Sequence, residues 1–277
     1  MNRIEGPPSL ITFNHDLCEI SNDVGMSDTY GLRNSVDLVV TSPPYKKKDG
    51  YSKDLILHMG TLIRRVLKPG GWAFVNFGQL AEQPDRAFEV QQALKYQGLE
   101  AHQTFIWIKS VVIDGKQRGH YTPIRSDSIA NWCHEYVFSF YKSPKPDFDK
   151  LSIGCPYSDK SNLTRGNRGA NGDVHCGGDT WIEGEAGLDD AWFLKYKTTG
   201  QKTKKTTSEA AHAYEYPEEL VERCIRLSGV KPGATVLDCC LGSGTTAVVA
   251  KKYGLNAIGI EIDQATLDGA VARWRKA

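Results

Sequence analysis

Val236-Leu237-Asp238-Cys239-Cys240-Leu241-Gly242-Ser243-Gly244-Thr245-Thr246, followed by Ala257-Ile258-Gly259-Ile260-Glu261-Ile262-Asp263, reads as strand, glycine loop, helix and strand. The expected strands are Thr235 to Cys239 and Ala257 to Ile262, with a helix from Thr246 to Tyr253 that stops at Gly254. Such a unit holds a nucleoside across the carboxyl ends of parallel strands: glycines let the backbone approach the ligand, and a carboxylate accepts hydrogen bonds from ribose hydroxyls. The spacing matches neither G-x-G-x-x-G nor G-x-x-x-x-G-K-[ST], so nothing is arranged to cradle a triphosphate. An acid closing an Ile-Gly-Ile strand is costly without a partner, which makes Glu261 the candidate ribose ligand. Asp238 has two candidate roles, ordering the glycine loop through backbone N–H groups or approaching an amino group of the ligand. Thr245 and Thr246 are candidates for the cavity wall or for no more than the start of the helix.

Outward from this unit the chain alternates between strand and helix. Val36 to Val40 is an apolar run of the kind buried in a sheet, and a helix is expected from Tyr51 to about Leu67, with Leu55, Ile56, Met59, Leu62, Ile63 and Val66 on one face. Lys68-Pro69-Gly70-Gly71 is helix-stop and turn chemistry. Trp72 to Phe77, Thr104 to Lys109 and Tyr136 to Tyr141 read as strands, Phe88 to Gln97 and Glu218 to Ser228 as helices. This alternation predicts an α/β fold, a Rossmann-like, mostly parallel sheet with helices on both faces. From Ser143 to Ser208 Gly, Asn, Asp, Ser and Lys dominate and neither period persists, although Trp181, Trp192 and Phe193 require part of it to be ordered. The expected division is therefore residues 1–142 with 209–277 as one domain and 143–208 as an irregular insertion; a loop of that length inside a compact enzyme is functional or disordered.

The second landmark is Val39-Val40-Thr41-Ser42-Pro43-Pro44-Tyr45, where a buried strand runs into a double-proline corner. Two prolines fix their own φ angles, extend the residue before them and remove two N–H donors. What remains is a rigid set of acceptors beside a flat ring, suited to gripping a planar heterocycle by its exocyclic amine while stacking on its face.

Composition narrows the classes. At 277 residues the chain can bury an ample core. No apolar run approaches membrane-spanning length, and the polar, proline-containing start shows no signal peptide. Seven cysteines without C-x-x-C spacing point to reduced thiols in a cytoplasmic protein. Cys155, His175 and Cys176 lack the tight pairing of a zinc site, so no metal is expected. The net charge of +1 says little by itself, because a nucleic-acid enzyme needs a local basic surface. Lys46-Lys47-Lys48 directly after the corner read either as a solvated loop or as a neutraliser of phosphates. A second cluster is Lys195, Lys197, Lys202, Lys204 and Lys205.

Together the two motifs resemble the amino-methylating DNA methyltransferases that use S-adenosyl-L-methionine, and the Thr-Ser-Pro-Pro-Tyr form resembles their N4-cytosine branch. The catalytic motif precedes the cofactor motif with a long variable region between, which resembles the β arrangement of the family. Further segments are similar across nearly the whole chain: Phe13-Asn14-His15-Asp16, Leu62 to Gly71 with Trp72 to Asn76, His134-Glu135-Tyr136-Val137-Phe138, and His212 with Tyr216-Pro217-Glu218-Glu219-Leu220. Two departures stand out. Cys239-Cys240 replaces the family's Pro-Phe, which implies a weaker ring contact to adenine, and His212-Ala213 replaces His-Pro.

The resemblance implies a cofactor site of Asp16, Thr41, Asp238, Gly242, Ser243, Gly244, Thr245 and Glu261. It implies a catalytic corner of Ser42, Pro43, Pro44 and Tyr45, with Ser42 Oγ and the Pro43 carbonyl accepting from the target amine and Tyr45 stacking on the base. Flipping a nucleotide costs roughly a few kcal/mol and stacking returns about 1–3 kcal/mol per base, so phosphate contacts must supply the rest. Duplex DNA is the implied partner. Lys46, Lys47 and Lys48 face its backbone, and Arg165 and Arg168 of the insertion are residue types that pair with base edges. A companion restriction endonuclease, a nucleoid location and a monomer or dimer belong to the same picture. N6-adenine methylation is the nearest alternative, since both bases present an amine beside a ring nitrogen. A DNA-binding protein without catalysis, and an RNA or protein methyltransferase, stand further off. His134-Glu135 lacks the H-x-E and P-C-x-x-C of a zinc deaminase, leaving Glu135 as a structural or pocket residue.

Overall fold

The computed structural model of the protein describes residues 2–4, 8–17, 31–46, 50–80, 83–113, 116–119, 132–154, 167–168, 174–175, 190–195 and 215–277. In chain order the elements are β1 (Asn2–Ile4), β2 (Leu10–Asn14), β3 (Val36–Thr41), α1 (Lys53–Val66), β4 (Leu67–Gly78), α2 (Arg86–Tyr96), β5 (Glu100–Ile113), β6 (Lys116–Gly119), β7 (His134–Tyr141), a 3₁₀ turn (Lys150–Ile153), β8 (Asn167–Arg168), β9 (Val174–His175), β10 (Ala191–Lys195), α3 (Glu218–Ser228), β11 (Thr235–Asp238), α4 (Thr245–Lys252), β12 (Asn256–Glu261) and α5 (Gln264–Lys276).

One sheet carries the order β1-β2-β12-β11-β3-β4-β7-β5-β10, with β6 paired to β5, while β8 and β9 form a separate ladder. From β2 to β4 the strands run parallel; β7 is antiparallel to both neighbours, and β10 runs parallel to β5. The two motif strands are therefore neighbours, Leu38 opposite Val236 and Val39 opposite Leu237. Asp37 ties their amino ends, accepting from Lys68 Nζ at 2.6 Å and from the Thr235 N–H at 2.9 Å.

Both faces of the sheet are covered, which is why its central strands are near-continuous apolar runs. Leu38, Val40, Trp72 and Phe74 pack with α3, α4 and α5 on one side; Val39, Ala73, Val75 and Phe77 pack with α1 and α2 on the other. In α1 the Ser52 hydroxyl accepts from Leu55 N at 2.9 Å, a cap worth about 1 kcal/mol. Ile56, Met59, Leu62, Ile63 and Val66 are buried, at about 1.5–3 kcal/mol each. Packing, not capping, decides that this segment is a helix.

The structure departs from the sequence reading in three places. Lys68–Gly71 is not a free turn: Gly70 N donates to Lys142 O at 2.7 Å and Lys142 N to Gly71 O at 3.1 Å, so the segment is paired and β4 starts at Leu67. Gly70 takes φ +76° there, the irregularity that lets a helix feed a strand without a loop. The stretch 143–208 is not wholly without period, because β10 alternates Trp192 and Leu194 buried against Phe193 and Lys195 exposed and extends the main sheet. Trp192 stacks on Phe105 at 4.5 Å, and Phe148 and Ile153 pack into the same core; Trp181 lies outside the described residues. Finally β1, β2 and α5 appear where no element was expected. Among the described residues no helix is long and apolar enough to cross a membrane.

Candidate active site

A cavity of about 710 Å³ opens where β2, β12, β11 and β3 end, within the range of roughly 300–1,000 Å³ of small-molecule sites. Asp16 and Leu17 follow β2, Glu261 closes β12 and Ile262 follows it, Cys239 to Ser243 follow β11, and Ser42 to Lys46 follow β3. The glycine loop reaches this mouth by close packing. A Cβ on Gly259 would stand 2.5 Å from Leu241 Cδ2, so only a glycine there lets the loop cross β12. Gly244 begins α4 at φ +82°, with Ala270 Cβ 2.9 Å from where its own Cβ would be. Glu261 Oε2 accepts from Gly242 N at 2.9 Å and Oε1 from Asp263 N at 3.1 Å, which leaves each oxygen further acceptor capacity toward the cavity.

Asp238 is spent differently. Its Oδ1 accepts from Thr41 Oγ1 at 2.8 Å and Cys240 N at 3.0 Å; its Oδ2 accepts from Tyr216 at 2.9 Å and Thr246 at 2.8 Å. The Tyr216 and Thr246 hydroxyls also touch each other, so their two hydrogens are shared between that contact and Oδ2. Burial pushes the Asp238 carboxyl above its ordinary range, opposed by these four donors, and burial next to that carboxyl pushes the Tyr216 hydroxyl well up. Of its two candidate roles, this geometry favours ordering the loop. Thr41, fully buried, spends its hydroxyl on Asp238; neither residue lines the cavity.

The wall beyond the loop is set from the carboxyl-terminal helix. Arg273 Nη1 bonds Glu215, and lies 3.1 Å from both Ser243 Oγ and Thr245 Oγ1; Nη2 reaches Glu218 at 3.0 Å. One guanidinium thus fixes three cavity-lining residues from two separate segments.

At the double-proline corner the serine is not alone. Ser42 Oγ lies 2.9 Å from the Tyr45 hydroxyl, which donates to Glu135 Oε2 at 2.8 Å. Asn76 Nδ2 reaches the same hydroxyl at 2.7 Å and the same carboxylate oxygen at 2.7 Å. Lys109 Nζ lies 2.6 Å from Glu135 Oε1. Asn76 and Glu135 reach the corner because β4 and β7 are paired there, Gly78 opposite Glu135. The Tyr45 ring rests 4.6 Å from Phe77 and lies over Gly78, where a Cβ would stand 2.6 Å from Cε2. Burial first, and the charge of Glu135 second, push the Tyr45 hydroxyl well above its ordinary value, so it stays a donor. Arg86 holds the loop from below: Nη1 donates to the Tyr45 carbonyl at 2.7 Å and the guanidinium lies 4.3 Å from the Tyr51 ring centroid.

Of the residues expected from sequence, Asp16, Ser42, Pro43, Pro44, Tyr45, Lys46, Gly242, Ser243, Thr245 and Glu261 line this one cavity. Thr41 and Asp238 stand behind it, and Gly244 sits at the start of α4. Lys47, Lys48 and Arg165 lie outside the described residues; Arg168 belongs to the β8–β9 ladder. Asn76, Arg86, Lys109, Glu215 and Arg273 were not read as site residues. The signal for Asn76 was present, an amide interrupting the buried run Trp72-Ala73-Phe74-Val75-Asn76-Phe77.

Three comparisons bear on this arrangement. The chain is 28% identical over 255 residues to the type II methyltransferase M.BglII of Bacillus subtilis, matching 85% of this chain and spanning 62% of that protein's length. Its fold is that of the PvuII DNA methyltransferase (cytosine-N4-specific), with TM-score 0.64 at 18% identity over 99% of this chain and 90% of that one. It is also that of the M1.HpyAVI–SAM complex, with TM-score 0.57 at 17% identity over 95% and 99% of the two chains. The sequence pattern of the DNA methylases that act at N6 or N4 matches residues 36–272, from the first strand of the catalytic motif through most of α5. With both motifs converging on one cavity and that match running across them, the chain belongs to the N6/N4 DNA methylase family.

Proposed function

We propose that the chain transfers a methyl group from S-adenosyl-L-methionine to the exocyclic N4 amine of a cytosine flipped out of duplex DNA. The observation that carries this is a single cavity with the Ser42–Tyr45 corner on one wall and the Glu261–glycine loop on the other. The donor set fits an adenosyl amino acid. Carboxylates at Asp16, Glu215 and Glu261 suit hydroxyl and ammonium groups, Leu17, Leu241, Ile260 and Ile262 suit a flat base, and the M1.HpyAVI neighbour was solved with this cofactor. Cys240 stands where the family pattern has an aromatic ring, so the base is held by aliphatic contacts.

Bound there, the cofactor supplies a methyl group already activated on a sulfonium, and the chain's own task is to align and sharpen the nucleophile. An exocyclic amine is a poor nucleophile while its lone pair delocalises into the ring. Hydrogen bonds accepted by Ser42 Oγ and the Pro43 carbonyl favour the pyramidal amine, which is positioning plus electrostatic preorganisation. The ring of Tyr45, backed by Phe77, is the platform for the base. Lys46, with Lys47 and Lys48 beyond it, neutralises flanking phosphates. Target reading is assigned to 143–208, with Arg165 and Arg168 as base-edge readers, and a restriction endonuclease sharing the site is the expected companion.

The test is incubation with mixed-sequence duplex DNA and methyl-labelled S-adenosyl-L-methionine, followed by digestion to nucleosides and mass analysis. N4-methylcytosine is the expected product. N6-methyladenine would keep the enzyme class and overturn the base assignment; no labelled nucleoside would overturn the function.

A further inference from the structure

The hydrogen bonds at the corner have a forced direction. Glu135 Oε2 is a carboxylate oxygen with no hydrogen to give, so the single hydroxyl hydrogen of Tyr45 is donated to it. The 2.9 Å contact between Ser42 Oγ and that hydroxyl is then filled by the serine hydrogen. Ser42 consequently turns its hydrogen away from the cavity, and beside the long 3.5 Å approach of Asn76 Nδ2 it keeps a lone pair for the cavity, which an amine requires of an acceptor. The chain of contacts does not stop inside the protein. Lys109 Nζ lies 2.6 Å from Glu135 Oε1, and its side chain keeps 28% of its exposure. A line of hydrogen-bonded groups therefore leads from the cavity wall to solvent, through strands β4, β7 and β5.

We propose that Ser42, Tyr45 and Glu135 form a proton relay that removes the surplus proton of the methylated amine, with Glu135 as its end acceptor. The relay deepens the methyl-transfer reading of this site and rests on it. As the amine nitrogen bonds the methyl carbon and the carbon–sulfur bond breaks with its electron pair leaving on sulfur, the nitrogen carries one proton too many. That proton passes to Ser42 Oγ, the serine hydrogen to the Tyr45 oxygen, and the tyrosine hydrogen to Glu135 Oε2. Serine and tyrosine end neutral with their hydrogens reversed, Glu135 ends as a neutral carboxyl, and it returns the proton to water at the edge where Lys109 emerges. Asn76 holds the middle of the line by donating to both Tyr45 and Glu135. Tyr45 thus has a second role beside offering its ring.

The relay is tested by Glu135→Gln, which keeps the shape and an acceptor for Tyr45 but takes no proton, and by Tyr45→Phe, which keeps the ring and cuts the line. Single-turnover rates in light and heavy water are measured with the full chain, together with titrations of S-adenosyl-L-methionine and of DNA. Loss of a general base costs about 10²–10⁴-fold. The expected result is a fall in that range for both variants, an enlarged solvent isotope effect, and affinities within about twofold of wild type. Because the two act in one line, the double variant should be no slower than the slower single variant. A Glu135→Gln rate within about threefold of wild type would overturn the relay alone. A fall that tracks lost affinity, with the isotope effect unchanged, would reduce Glu135 to a structural prop and overturn it too. If the wild-type chain methylates no DNA, the proposed function falls, and the relay with it.

Discussion

Two tyrosine–carboxylate pairs among the described residues differ in what surrounds them. Behind the glycine loop, Tyr216 and Asp238 meet with Thr41, Thr246 and the Cys240 N–H, all neutral donors, in a place with 1% exposure at the aspartate. At the proline corner, Tyr45 and Glu135 meet with an amide, a serine that faces the cavity, and a half-exposed lysine. In the first pair the four donors divide two to each oxygen, and neither Asp238 nor Thr41 reaches the cavity, so it binds strands and loop together. In the second, a cation and an outlet to solvent are built in. The same two residue types thus serve as a rivet in one place and as movable chemistry in the other, and the donors around the carboxylate tell which.

The sharpest way to break this comparison is to remove each carboxylate. Asp238→Ala should lower stability by about 3 kcal/mol, since each buried donor it orphans costs about 1–3 kcal/mol. The check is a denaturant midpoint that falls with the slope unchanged. Glu135→Gln should unfold close to wild type; if it unfolds as early as Asp238→Ala, the distinction between rivet and relay is lost. Arg86→Met should remove a charged hydrogen bond to the Tyr45 carbonyl, worth about 1.5–3 kcal/mol, and appear as a ten- to hundredfold loss in kcat/KM for DNA with cofactor affinity unchanged. Tyr216→Phe should be milder, about 1 kcal/mol of stability, because Thr246 still donates to Asp238 at 2.8 Å. The smallest effect concerns thiols. Burial pushes the Cys224 and Cys239 thiols up, so both should resist alkylation in the native state; the half-buried Cys240 on the cavity wall should react, more slowly once cofactor is present.

The cofactor half was legible because its contacts are local. Gly242 and Asp263 both donate to Glu261 within a single strand–loop–helix–strand unit, and that spacing survives in the sequence. The helices Glu218–Ser228 and Lys53–Val66 were equally visible from their apolar faces. The proline corner could be located but not furnished. Glu135 was within reach as a structural or pocket residue, but its partners Asn76, Arg86 and Lys109 come from three other elements, and nothing in linear spacing says that β7 lies antiparallel between β4 and β5. For β10 the reason is length: five alternating residues within a polar stretch are too few to show a period, and only pairing with Ile106 to Ser110 makes them a strand. Asp238 was read at the mouth of the site because its loop is there; its own rotamer, pointing back to Thr41, is not written in the motif.

The bond from Thr41 to Asp238 joins two residues 197 positions apart in the chain, across neighbouring strands. That weld is indifferent to which of its halves the ribosome makes first. At the far side β2 lies against β12, with Ser9 bonded to Asn256, so a second pair of segments distant in sequence is stitched side by side as well. A gene rearranged to encode the segment from Glu215 onward before the β3 segment, the two joined by a linker, should yield the same cavity with its motifs in reverse order. For this architecture, gene order is a freedom that shuffling can exploit without disturbing the machine.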